Sequence, residues 1–205
     1  MTLEDIARAR RVLMRRDPVL AKIIKASGAC GLRTDREHEI FCGLVQAIVS
    51  QQLSTKAAAT IHGRVLALLP GGGPPTPEGL EPISEIDLRA AGLSRQKISY
   101  IRDLSRKALD GALQTAVVAA MEDEAVIAEL TRIKGIGRWT AEMILIFRLA
   151  RPDVLPVGDL GIVKATQKAY GLRKPPDPER LLEIGERWRP YRSVASWYLW
   201  ASLRN

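Results

Sequence analysis

The chain has 205 residues, 46% of them hydrophobic, with 31 Lys and Arg against 23 Asp and Glu and a net charge of +8, enough for one large domain or two small ones with a sizeable core. The basic excess suits plain solubility or a polyanionic partner such as nucleic acid. Two cysteines, Cys30 and Cys42, exclude a disulfide framework and a four-cysteine iron–sulfur cluster, and His38 and His62 are too few for a zinc site. The start "MTLEDIARARRVL" is acidic-containing and lacks an apolar h-region, and no apolar run reaches about 18 residues, so neither a signal peptide nor a membrane span is expected. The expected location is the cytoplasm, on the nucleoid, in a bacterium and the nucleus in a eukaryote.

Apolar residues recur at helical spacing nearly throughout. Helices are predicted over 3–15, 18–27, 37–50, 54–69, 83–91, 95–109, 123–131, 138–150, 160–170, 178–188 and 192–203. Thr2, Asp17, Ser54, Ser94, Asp159 and Asp177 stand where N-caps belong, and "DPVL" and "DPER" add a proline suited to the first helical turn. No stretch sustains period-two alternation, so the fold class is all-α. The loop "PGGGPPTPEG", 70–79, is expected to lie between two lobes of one compact unit spanning 1–205.

Chemistry gathers in two stretches. "IKGIGRWTAEM", 133–143, sets Gly135 and Gly137 in front of a predicted helix. The amides and positive dipole end of that helix point into the turn, making a phosphate cradle that needs no side chain. A tight helix–helix turn is the alternative reading, because a short Gly-x-Gly is a weak motif. Lys134 and Arg138 flank the turn, and Ile133 and Ile136 anchor it. Then "VLPVGDLGI", 154–162, places Asp159 at a helix start, where it caps the helix and can still present a carboxylate. Asp153, in a turn, and Glu142, placed toward solvent, are poorer carboxylates for chemistry.

"LTRIKGIGRWTAEMIL" resembles the helix–hairpin–helix of the DNA glycosylase superfamily, and "DVLPVGDLGI" resembles its Gly/Pro-rich loop with the catalytic aspartate. "AIVSQQLSTKAAATI", "AGLSRQKISYIRDLS" and "WRPYRSVASWYLW" extend the likeness over roughly residues 36–203. It is closest to the alkylated-base branch, 3-methyladenine DNA glycosylase II. The resemblance implies two helical lobes around a DNA-binding cleft. It also implies a monofunctional enzyme that excises 3-methyladenine- and 7-methylguanine-type bases from double-stranded DNA in base excision repair.

It further implies roles for residues. Asp159 matches the aspartate that supports loss of the base. Trp139 stands where bifunctional relatives carry a catalytic lysine, and Trp200 matches a pocket aromatic. Met143 stands where some relatives use an aromatic. Gln51, Gln52 and Leu53 match the region that plugs the vacated stack; Leu53 is equally readable as core. Lys134, Gly135, Gly137 and Arg138 match the phosphate grip. Backbone carbonyls of Thr131, Ile133 and Ile136 match positions that hold Na⁺ or K⁺; no cofactor is required, and a monomer is expected. Trp188 and Trp197 are read as packing. Two departures stand out: the first 35 residues are expected to be helical, as in compact members, where larger ones carry a β-rich domain, and Gly158 replaces a second aspartate found in some. The competing readings are a non-catalytic helix–hairpin–helix DNA-binding module and a bifunctional glycosylase/lyase for other lesions. Trp at 139 and the missing cysteine cluster argue against the latter.

Overall fold

In a computed structural model, residues 1–32, 40–111 and 113–204 are described. Among them the chain forms α1 (Leu3–Arg16), α2 (Pro18–Ser27), α3 (Ile40–Ser50), α4 (Thr55–Ala67), a 3₁₀ turn (Pro70–Gly72), α5 (Pro77–Leu80), α6 (Glu85–Ala90), α7 (Arg95–Leu109), α8 (Thr115–Ala120), α9 (Asp123–Thr131), α10 (Arg138–Phe147), α11 (Leu160–Tyr170), α12 (Pro178–Glu186) and α13 (Arg192–Ala201), with no strand. All six expected caps accept backbone amides, and Thr2 closes a capping box with Asp5. Residues 37–39 of the predicted third helix, and His38, lie outside the described residues.

Two short helices escaped the sequence reading. α5 starts inside the expected 70–79 loop on a Thr76 cap, and α8 is six residues with too little length for a readable periodicity. The helix predicted to run to 150 stops at Phe147. Ala150 takes the left-handed conformation (φ 54°), and the Arg151 amide bonds back to the Leu145 carbonyl at 2.9 Å, a Schellman-type stop ahead of Pro152.

The chain divides into two compact units, Met1–Asp35 with Leu145–Asn205, and Arg36–Ile144. The 70–79 loop therefore lies inside the second unit and does not separate the lobes: its 3₁₀ turn and α5 continue the packing of that unit, with α5 against α7. In the discontinuous unit α13 packs against α1, α2 and α11, burying Val194, Ala195, Tyr198 and Leu199. Each such aliphatic or aromatic side chain contributes about 1.5–3 kcal/mol. Asp17, fully buried, caps α2 through Oδ1, while its Oδ2 accepts from the Tyr170 hydroxyl and, at 3.0 Å, from the Trp188 indole. Trp188 is thus packing, as expected, and Trp197 lies against Gly31, where a Cβ would come within 2.9 Å of its ring. In the continuous unit α3, apolar on nearly every side, packs against α4 and α7. Arg102 of α7 donates to the carbonyls of Leu80, Glu81 and Ile83, closing the end of α5.

Candidate functional site

Two constellations carry the predicted residues, one in each unit. In the discontinuous unit, the segment after α10 is clamped before it reaches Asp159. The Asp153 carboxylate accepts from Arg189 at 2.7 Å and Arg192 at 2.9 Å. The Ser193 hydroxyl donates to the Arg151 carbonyl at 2.7 Å and accepts the Val154 amide at 3.0 Å. Asp153 therefore fixes the loop. Asp159 emerges at the N-cap of α11, only 9% exposed. Its Oδ1 accepts the Ile162 amide at 2.8 Å and the Trp200 indole N–H at 2.9 Å. The Trp200 ring in turn stacks on Phe147, centroids 5.8 Å apart and 28° between planes. Gly161 makes this possible, because a Cβ there would lie 3.0 Å from Asp159 Oδ1 and 3.1 Å from Trp200 Cδ1.

In the continuous unit, the two hairpin glycines have different reasons to be glycine. Gly135 has φ +81°, and a Cβ on it would sit 2.1 Å from the Tyr100 ring. That is the close-packing turn. Gly137 has no atom of another described residue within 4 Å of where its Cβ would be, and its φ is ordinary, so none of the described residues demands glycine there. The Gly135 carbonyl accepts Gln51 Nε2 at 2.7 Å. The Lys134 amide donates to Asp103 Oδ2 at 2.9 Å, so that donor of the expected phosphate cradle is already engaged. Lys107 donates to the Arg132 carbonyl and pairs with Asp103 at 3.2 Å. Burial would raise the Asp103 carboxyl, but the Lys134 amide and Lys107 outweigh it and hold it below the usual carboxylate range.

Arg138, expected on phosphate, grips Glu124 at 2.5 and 3.1 Å and Glu142 at 3.1 Å. These hydrogen bonds, Glu124's first, hold its proton still more tightly. Glu142 is not solvent-facing as the sequence suggested: it is 4% exposed and pairs with Arg138 at 3.1 Å. Gln52 sits at the turn after α3 with φ +58°, and Leu53 beside it is 38% exposed. Leu53 also lines a pocket of about 380 Å³ with Gln46, Ser50, Thr55 and His62. Trp139 is half exposed, and Met143 and Phe147 follow it at one-turn spacing on the same face of α10. Ile133 and Ile136 are buried anchors, and the Ile133 carbonyl accepts the Ile136 amide at 3.1 Å.

Phe147, Gly161, Lys97, Tyr100 and Asp103 were missed by sequence reasoning. Phe147 was readable as the third apolar residue at i+8 from Trp139. Gly161 lies inside "VLPVGDLGI" and is constrained by Asp159 two residues away as well as by Trp200; Lys97, Tyr100 and Asp103 act across long sequence distances and leave no local signal.

Residues 45–190 match the family described as HhH-GPD superfamily base excision DNA repair protein, and the chain belongs to that superfamily. It is 38% identical to DNA-3-methyladenine glycosylase 1 of Schizosaccharomyces pombe over 84% of this chain and 76% of that one. The solved 3-methyladenine DNA glycosylase Mag1 of the same yeast, in complex with abasic DNA, superposes with a TM-score of 0.88 at 34% identity, covering 97% of each chain. A DNA-3-methyladenine glycosidase from Bacillus halodurans superposes at 0.83 with 41% identity over 94% of this chain and 87% of that one.

Proposed function

We propose that the protein is a monofunctional DNA glycosylase that removes alkylated bases in base excision repair. The observation that carries this reading is the Asp159 carboxylate, 9% exposed and fixed by the Trp200 indole at 2.9 Å. A non-catalytic DNA-binding module would need this group only as the α11 cap, and would have no use for the indole that also holds it. The relatives' names, DNA-3-methyladenine glycosylase among them, support an alkylated purine in DNA as the substrate; the extension to 7-methylguanine-type bases and to duplex DNA is part of this reading.

A base in duplex leaves the stack before its glycosidic bond is reached. Gln52 and Leu53 act as the wedge that holds the gap. The flipped, positively charged base stacks on aromatic faces, for which tryptophan is the best cation–π partner. Beside Asp159, Trp200 stacked on Phe147 supplies such a face, and in the other unit Trp139, with Met143 one turn on, offers a second apolar surface for the base. The bond electrons leave with the already cationic base, so no strong general acid is needed. The sugar passes through an oxocarbenium-like state, which Asp159 stabilises by charge while accepting a proton from the attacking water. Gly137 leaves room for a phosphate at the α10 N-terminus, with Lys134 beside it, and Arg138 joins only by exchanging one of its carboxylates. Carbonyls of Thr131, Ile133 and Ile136 would hold an alkali cation that stiffens the hairpin. The protein acts as a monomer.

Base release from randomly methylated DNA, with chromatography of the freed bases, tests the activity. Borohydride trapping tests the lyase alternative. Trp139 has no amine to form a Schiff base, so the expected products are free base, an intact abasic strand and no trapped adduct. Absence of released base, or a strong adduct, overturns the reading.

A further inference from the structure

The turn at 50–54 and the hairpin at 132–137 are separate in sequence but hydrogen-bonded into one frame on α7. Lys97 of α7 donates to the carbonyls of Val49 at 2.7 Å and Gln51 at 2.8 Å, where α3 ends. It is held by backbone oxygens, and burial lowers its pKa from the ordinary value. Gln51 then reaches the hairpin, its Nε2 2.7 Å from the Gly135 carbonyl. One helical turn after Lys97, the Tyr100 ring lies under Gly135, and Gln96 donates to the Tyr100 hydroxyl at 2.6 Å. Asp103 and Lys107 seize the Lys134 amide and Arg132 carbonyl. The residues at 97, 100, 103 and 107 share one face of α7. Gln52, the only residue of the turn with positive φ among those described, and exposed Leu53 project immediately after the point that Lys97 and Gln51 secure.

We propose that Gln51 and Lys97 are positioning residues that lock the wedge turn to the phosphate-gripping hairpin, so that gripping the strand sets where Gln52 and Leu53 enter the stack. Gln51 is therefore not itself the plug; its amide is used within the protein. This rests on the glycosylase reading given above. A wedge hinged freely at residue 51 would sample many depths for each grip, and near-attack geometry suffers from small misplacements.

The test uses the full chain and a duplex with 2-aminopurine beside a methylated purine. Gln51→Met keeps side-chain length and removes the donor; Lys97→Met removes the ammonium and Lys97→Arg restores a cationic donor. Both Met variants are expected to keep affinity for undamaged duplex within about twofold, while the unstacking signal and single-turnover excision at saturating enzyme fall about tenfold for Gln51→Met, the scale of its one lost hydrogen bond, and at least as far for Lys97→Met, which loses two. Lys97→Arg is expected to recover most of the loss. Adding Leu53→Ala to Gln51→Met should cost less than the product of the two separate effects, because the wedge is already uncoupled. Unchanged unstacking in Gln51→Met, or loss of unstacking only in proportion to lost duplex affinity, overturns the proposal. If the unaltered protein releases no base, the glycosylase reading falls, while the coupling is still decided by the 2-aminopurine signal.

Discussion

Asp159 is fixed from two directions through one oxygen, by a helix amide and by an indole. Asn at this position keeps an Oδ1 that accepts both donors and remains a good cap. Asp159→Asn is therefore expected to fold and to bind lesion DNA, while the developing sugar cation loses its counter-charge. The expected loss is roughly a hundredfold in single-turnover rate, about 3 kcal/mol of barrier, and smaller for a cationic base than for a neutral one. Wild-type turnover on both would leave Asp159 a cap and nothing more. Gly161 gives a test of opposite character. Alanine inside a helix normally stabilises by about 1 kcal/mol over glycine. Here its Cβ would press on Asp159 and Trp200 at 3.0 and 3.1 Å. Gly161→Ala is expected to show no gain in melting temperature and to slow excision several-fold, because the carboxylate and the indole must each give by a few tenths of an ångström. A variant that is both more stable and fully active would show that Trp200 can shift without consequence.

The hairpin separates two uses of glycine. Gly135→Ala meets both a left-handed backbone and the Tyr100 ring at 2.1 Å, and is expected to destabilise by at least about 2 kcal/mol. Gly137→Ala is expected to leave the melting temperature nearly unchanged, yet to weaken DNA binding where the new methyl meets a phosphate. Equal melting losses in the two variants would refute this division. The flanking cations also separate. Arg138 already faces Glu124 and Glu142, so removing it deletes two ion pairs as well as a charge. Lys134→Ala is expected to lower the slope of log affinity against log salt by about one, whereas Arg138→Ala mainly loosens α9 from α10 and lowers melting temperature. A full unit of slope lost in Arg138→Ala with unchanged melting would put its guanidinium on DNA. The long helices, their caps and the Gly-x-Gly turn were legible because each is written in a few adjacent residues. The inward turn of Glu142, the engagement of Lys134's amide and the Gln51 bridge were not, because each depends on a partner brought from another element. The stop at Phe147 was missed because Ala150, without the usual glycine, takes the left-handed cap.

Charge is divided unevenly between the units. Met1–Asp35 with Leu145–Asn205 holds 19 Lys and Arg against 10 Asp and Glu, and Arg36–Ile144 holds 12 against 13, which together make the chain's 31 and 23. The long-range field that attracts a polyanion thus comes from the discontinuous unit, although the hairpin belongs to the other. Arg8, Arg11 and Arg15 are exposed on one face of α1. Replacing all three by Gln is expected to slow association with duplex DNA about threefold or more at low ionic strength, with little change in dissociation. Stopped-flow rates at two salt concentrations check this, and a change confined to dissociation would contradict it. The same division orders events during synthesis. Arg36–Ile144 is one continuous stretch and can complete its contacts as soon as it leaves the ribosome. α1 and α2 emerge before it, with the apolar faces around Leu13, Leu20 and Ile24, and wait through all of it for α13, the last helix, to cover them. Trp200 rides on that helix. The nascent chain therefore acquires the hairpin before the Asp159–Trp200 pair, which waits for α13.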